Sequence, residues 1–560
     1  MPVSLPTQRG KAEECPPCHI RRGHFDRLVL FLLALRIHFD ALRLAPGPYL
    51  TACKWWLLRK RVRARGQFAP LLTRSSRAYK RWVLQQAQIA VPSPPGAPVI
   101  IALVACPTGA SGLEETLASL AAEGVHVLIV GDDPAADLAR LADLPYWGCE
   151  AWLLPLFAGD RLAIGAARAY RAAMGEPGVT AIFADDDLSD LLGRRTAPHF
   201  KPDWNAELFR HHDYLTGACI LRVGYDGLAT AAEAGAGWAG ALVDRAVAEG
   251  GGAVHLRQVL HHRRQRPQPC LPLPAVSIAP ALPRITAIIP TRNRMDLLAT
   301  CINGLAAADY PEIEAIVVDN DSDDPSTVAF LAALPGHSRP GLTIRVMRHP
   351  GTFNYSAINN RAVAEATGEL LCLLNNDVEM LAPDWLAIMA TQALRDEVGA
   401  VGAQLLYPDG RLQHAGVVIG VGNAAGHAHR FLKPDEEEGY FRRHALPQFV
   451  SAVTAACLVV KRERFLAVGG LDENSFAVAF NDVDLCLRLN GRGWQSFYEP
   501  RAVLVHHESV SRGPDRDPVG ATRFASELAA LQHRWRTDEV FDPYHHPHLS
   551  RASEQFALAI

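Results

Sequence analysis

Five apolar residues, LLCLL over residues 370–374, run straight into Asn375, Asn376, Asp377, Val378 and Glu379. A short apolar run without alternation predicts a strand buried on both faces, as in a parallel sheet, because a solvated face would interleave polar residues. Ligand sites of open α/β sheets lie just beyond the carboxyl ends of such strands. The strand therefore carries two amides and two carboxylates to a binding edge. Oxygen ligands of this kind suit a hard divalent cation and the phosphates it bridges.

The surrounding segments supply the rest of such a sheet. Residues 284–290 (RITAIIP) predict a strand whose exit loop holds Thr291 and Asn293; a helix is expected over 295–307 and a second strand over 313–318, ending at Asp319. A third strand over 343–347 and a helix over 356–366 follow. Strands alternating with helices imply βαβ units and a mainly parallel sheet, which gathers Thr291, Asn293, Asp319 and Asp377 at one edge. Further on, the glycine-rich stretch 416–426 predicts a mobile loop over the site, and residues 449–460 a strand. FNDVDLCLR (480–488) predicts a helix capped by Asn481, with Asp482 in the first turn and Asp484 spaced to pair with Arg488. A last strand runs into His506, His507, Glu508 and Ser509.

At 560 residues the chain exceeds one core, and its net charge of −3 gives no reason to expect nucleic acid. Of eleven cysteines, Cys372, Cys457 and Cys486 sit in apolar runs, which suits reduced, buried thiols in a cytoplasmic protein. No signal peptide is evident, and the first apolar stretch, residues 28–35, falls well short of the roughly 20 residues a membrane span needs. Residues 1–97 are expected to form a basic, partly helical segment and linker. Within it, CPPCH (15–19) has the letters of a haem or zinc motif but no second ligand pair nearby, and WWLLRKRVRAR (55–65) suits either an anionic membrane surface or packing on the next domain. Residues 98–266 form the next domain, with strands over 99–104, 125–130 and 179–184 and a helix over 113–122. The last of these strands runs into Asp185, Asp186 and Asp187, and Asp203-Trp204 echoes Asp384-Trp385, which suggests an internal repeat. A proline-rich linker over 267–283, the main domain over 284–540 and a tail over 541–560 complete the plan.

Together, IIPTRNR (288–294), VVDN (317–320), LNNDVE (374–379), FNDVDL (480–485) and HHES (506–509) resemble the family 2 glycosyltransferases that build O-antigen and other surface polysaccharides. The resemblance implies the GT-A fold, a mixed, mainly parallel α/β sheet flanked by helices, and inverting transfer of a sugar from a UDP-, dTDP- or GDP-sugar to a hydroxyl of a glycan or lipid-linked saccharide. It implies that Thr291, Asn293, Asp319, Asn375, Asn376 and Asp377 hold the donor. Asp377, Glu379, His506 and His507 would hold Mg2+ or Mn2+, with either histidine as the ligand, and Asp482 would be the general base. Asn375 and Asn376 stand where the most acidic members carry aspartates, and Asn481 where many carry Glu. Residues 98–266 look like a diverged second copy without a base, a scaffold or acceptor-binding module rather than a catalyst, and the whole protein is expected in the cytoplasm or at the inner face of the cell membrane. Two other readings remain: a bifunctional transferase, and a non-enzymatic sugar-nucleotide-binding or assembly scaffold.

Overall fold

The computed structural model describes residues 24–86, 98–144, 151–175, 178–190, 192–507 and 518–560. The CPPCH motif, most of the 92–98 linker and residues 508–517 lie outside these. The chain divides into two compact units: one comprises residues 272–542 and 550–557, the other the described residues up to 271 with 543–549 and 558–560. Both have mixed α/β construction, and the second also contains four helices over residues 24–85.

In the C-terminal unit the first strand, Ile285–Thr291, lies between two parallel neighbours, Ile313–Asp319 and Leu370–Leu374. Leu342–Arg348 extends one side in parallel, whereas antiparallel Cys457–Lys461 extends the other, followed by Val398–Leu406, Gln495–His506 and the short Val378–Met380. All five residues of Leu370–Leu374 are fully buried, as their unbroken apolar run requires. Helices Met295–Ala306 and Tyr355–Glu365 are the expected crossovers. Ile358, Ala362 and Val363 of the second pack with Leu371, Leu373 and Leu458 in the core.

Three local expectations are corrected. The segment 449–460 is two strands, Gln448–Val450 and Cys457–Lys461, rather than one. The glycine-rich stretch is a ribbon, Val417–Ile419 paired with Ala425–His427, rather than a free loop. Asp542 accepts from the Ile419 N–H (2.7 Å), Glu554 accepts from the His427 N–H (2.9 Å) and Arg551 donates to the Gly420 carbonyl (3.1 Å), so the ribbon is tied along its length. Helix Asn481–Asn490 is preceded by Phe480 as the cap residue, with left-handed backbone (φ 61°), and Asn481 instead donates to the Val478 carbonyl (2.8 Å).

The N-terminal unit has its own sheet. Ile100–Ala105 pairs in parallel with His126–Val130 and Trp152–Phe157, while Ala181–Ser189 pairs in parallel with Val254–Arg263. Residues 55–65 are not one helix: Pro46–Leu57 and Arg61–Thr73 are separated at Arg59, whose φ is positive. Among the described residues no helix is long and apolar enough to cross a membrane.

Candidate active site

In the C-terminal sheet, successive strands step outward from Ile285–Thr291 on one side, and the chain then returns to place Leu370–Leu374 on the other. The reversal opens a crevice at the carboxyl ends of the two central strands, where open α/β sheets bind ligands. Some of the residues expected at the site meet there. Asn376 donates to the Thr291 hydroxyl across the crevice (3.0 Å). Thr291 lies in register with Asp319, whose carboxylate accepts from the Ser322 N–H (2.9 Å). Asn293, with left-handed backbone, spends both ends of its amide on the following loop. It donates to Asp323 (2.7 Å) and accepts from the N–H groups of Asp323 and Asp324 (both 3.0 Å), so its visible role is to shape that loop.

The four residues expected at the cation separate into two pairs. Nε2 of His506 lies 3.1 Å from Oδ1 of Asp377, and both residues are buried. His507 lies 3.2 Å from Glu379, whose side chain is 45% exposed. Among the described residues these four do not form a common cluster. His506 has the better chemistry for a metal. Its Nδ1 donates to Oε1 of Gln413 (2.7 Å), which leaves the Nε2 lone pair turned toward Asp377 and the Asn375 amide (3.3 Å). Gln413, at the middle of strand Leu412–His414, carried no sequence signal for this role.

Asp482 sits in the first helical turn. Its carboxylate accepts from the N–H groups of Ala455 (3.0 Å) and Val483 (2.8 Å), and burial pushes its pKa above the usual carboxylate value against the pull of those N–H groups. Ala456, the next residue, accepts through its carbonyl from the Asn375 N–H (2.9 Å). Asp482 is therefore two backbone contacts from the strand end that carries Asp377. Asp484 is structural: Arg488 (2.8 Å), Arg534 (2.8 Å) and Trp535 (2.9 Å) all donate to its fully buried carboxylate.

The acidic echo in the other unit has a different environment. Asp185, Asp186 and Asp187 are each fully buried. Asp186 is met by Lys201 (2.8 Å) and by Arg266, with Arg263 at 3.9 Å. Burial raises its pKa, but these cations outweigh burial and hold it well below the usual range. Asp187 accepts from the Tyr79 hydroxyl (2.6 Å), Arg195 (2.5 Å) and His262 (2.7 Å).

Residues 286–451 match the model of glycosyl transferase family 2. The C-terminal unit carries a domain of that family. The chain is 39% identical over 426 residues to the uncharacterized protein y4gI of Sinorhizobium fredii, an alignment covering 68% of this chain and 46% of that one. It is 35% identical over 464 residues to the O-antigen biosynthesis protein RfbC of Myxococcus xanthus, covering 75% of this chain and 36% of the relative. An N-acetylglucosaminyl-diphospho-decaprenol L-rhamnosyltransferase of Mycobacterium tuberculosis is 27% identical over 245 residues, 40% of this chain and 74% of that protein. The chain thus spans less than half the length of the first two relatives.

Proposed function

We propose that the C-terminal unit is an inverting glycosyltransferase that moves a sugar from a nucleoside-diphosphate donor to a hydroxyl of a growing glycan or lipid-linked saccharide. The single observation that carries this reading is the convergence of Thr291, Asn376, Asp377 and His506 at one sheet crevice, with Asp482 held beside its rim. Asp377 and His506 would hold Mg2+ or Mn2+, and such an ion stabilises the charge that gathers on the leaving diphosphate. Thr291, Asp319, Asn375 and Asn376 line the donor edge, and Asn293 supports it through its loop. Glu379 and His507, paired with each other and more exposed, stand outside the ion's immediate set.

Asp482 is the base. An acceptor hydroxyl becomes a competent nucleophile only as its proton leaves, and a positioned carboxylate that takes that proton is worth roughly 10²–10⁴-fold in rate. The raised affinity of Asp482 for a proton, caused by burial, suits that transfer. Relatives that act in O-antigen biosynthesis and on a decaprenol-linked saccharide support a surface-glycan acceptor. The N-terminal unit serves as a scaffold, because the carboxylates that echo the donor edge are occupied by its own cations.

The test is release of nucleoside diphosphate from a panel of UDP-, dTDP- and GDP-sugars, with and without Mn2+. Turnover of at least one donor that needs the metal and is lost in Asp377→Asn supports the reading. Metal-independent turnover, or none across the panel, removes it.

A further inference from the structure

We propose that Asp185, His255 and His546 of the N-terminal unit form a divalent-metal site of zinc type. The site rests on none of the residues proposed to act on the donor. One ligand atom from each of the three residues lies within 4.8 Å of the others. The side chains of Asp185 and His546 are fully buried and that of His255 is 2% exposed. Nε2 of His255 lies 3.2 Å from Oδ1 of Asp185, and Nε2 of His546 lies 2.9 Å from Oδ2. The second pair is close but lacks the alignment of a hydrogen bond. Ligand atoms about 2.1 Å from one ion, at angles between right and tetrahedral, stand about 3.0–3.4 Å apart. The two imidazole–carboxylate separations, one to each oxygen of Asp185, lie close to that range, and all three ligand atoms lie within 4.8 Å of one another.

Nδ1 of His546 accepts from the His548 N–H (3.1 Å), so its Nε2 carries a proton that a bound ion must displace, while the rest of the set is held in place. His255 donates through Nδ1 to Asp203 (3.0 Å), which Arg257 clamps in turn, leaving Nε2 for the site. The Lys201 N–H donates to Oδ1 of Asp185 (2.8 Å) and fixes the carboxylate. Phe183 stacks on His255 with ring centroids 4.5 Å apart, and Phe200 stacks on His546 at 5.1 Å, which sets both ring planes. A buried carboxylate between two imidazoles is poorly repaid by Coulomb attraction alone, whereas an ion supplies bonds to all three. Two nitrogens and one oxygen select zinc or a similar transition ion over magnesium or calcium, which take oxygen ligands. Three protein ligands leave one tetrahedral position for water.

This is not the donor-edge cation position repeated. The counterpart of the Asp377–His506 pair in this unit is Asp187 with His262, which are in register between neighbouring strands and 2.7 Å apart. His255 enters from the opposite end of the same strand, and His546 from the segment 543–549 of this unit. Because the metal binds only the folded arrangement, its affinity contributes to the stability of this segment.

The full chain carrying Asp377→Asn, which disables the donor-edge cation site, is stripped with a chelator and titrated with Zn2+ by calorimetry and with Co2+ by visible absorption. One equivalent of Zn2+ and ligand-field bands with Co2+ are expected. Adding His546→Ala should abolish both. Adding Asp203→Asn, a milder change on a partly exposed residue, should weaken Zn2+ binding about 10–100-fold while the chain stays folded. Absence of a tight equivalent in the stripped chain, or binding that survives both changes unaltered, would show an ion-pair network alone and overturn the proposal. If His546→Ala fails to fold, Asp203→Asn decides the matter by itself.

Discussion

Asp482→Asn separates chemistry from architecture. The carboxylate accepts one backbone N–H at each oxygen; the amide oxygen of Asn still accepts from Ala455 at 3.0 Å, whereas its NH2 replaces the oxygen that accepted from Val483, at a cost of about 1 kcal/mol. The base is lost. At 1.36 kcal/mol per decade, the roughly 10²–10⁴-fold contribution of a general base corresponds to about 2.7–5.4 kcal/mol of barrier. The lost charge pulls stability the other way. Burial raises the folded-state pKa above the unfolded value of 3.8, so the folded chain binds this proton more tightly than the unfolded one. By linkage the ionised group costs stability once the pH exceeds its folded pKa, and costs nothing below the unfolded value; the neutral amide removes that cost. The lost acceptor for Val483 opposes that gain, so the expected result at neutral pH is a fall of two to four decades in kcat with a Tm close to the wild-type value. Wild-type kcat should also fall on acidification at a higher pH than an ordinary aspartate would give. Donor turnover and thermal unfolding on the same preparation check both. A variant that kept more than about a tenth of wild-type kcat, or that unfolded in step with its loss of activity, would refute the reasoning.

Gln413→Leu should weaken activation by Mn2+ about 10–100-fold by freeing the His506 tautomer, whereas His507→Ala should leave the metal titration nearly unchanged. Asp186→Asn leaves Lys201, Arg263 and Arg266 facing a neutral amide in a buried setting. It should cost about 3–5 kcal/mol in urea unfolding, with turnover per folded molecule retained; lost turnover at unchanged stability would make that unit catalytic. Trp56 (41% exposed), Leu57 (81%) and Val62 (71%) stand beside exposed Arg59, Lys60, Arg61 and Arg63. Co-sedimentation with anionic vesicles at low salt is expected and should fall at least about tenfold in Lys60→Glu/Arg61→Glu/Arg63→Glu, and no sedimentation at all would end the membrane reading.

What could be read in advance follows the physics of burial. The strands Ile285–Thr291, Ile313–Asp319 and Leu370–Leu374 are covered on both faces, so their apolar runs are unbroken and announce themselves. Trp152–Phe157 escaped notice because Pro155 argues against a strand interior. It is tolerated because the antiparallel neighbour pairs only at Leu153, leaving the proline without a ladder bond to forfeit on that side. The break between Gln448–Val450 and Cys457–Lys461 was equally silent, since residues 451–456 are as apolar as the strands. That break frees the Ala455 N–H for Asp482 and turns the Ala456 carbonyl toward Asn375. The positive φ at Phe480, which sets the start of helix Asn481–Asn490, belongs to the same class, because a bulky residue takes that conformation only where its surroundings impose it. The His255–His546 pair is separated by nearly three hundred residues, so no local spacing in the sequence could join it.

The two units apply one device to different ends. In each, an apolar strand delivers acids to a sheet edge. Near Asp377 the closest partner is His506, which brings no fixed positive charge, while Arg294 reaches Asp377 electrostatically but is partly exposed and paired with Asp296. A divalent ion can therefore supply the charge that the acid lacks, and can leave with the diphosphate. Around Asp186 the same requirement is met permanently by one lysine and two arginines, while Asp187 is taken by Arg195, His262 and Tyr79. Fixed cations cannot exchange with substrate phosphate without stranding buried charge, at a cost of several kcal/mol per group. Restoring a donor edge there would take removal of Arg195 from Asp187 together with Lys201, Arg263 and Arg266 from Asp186, because any one left behind still neutralises its acid. Sequential replacement should accordingly lower stability at every step without producing donor turnover, and turnover appearing after a single replacement would refute charge saturation as the difference between the two units.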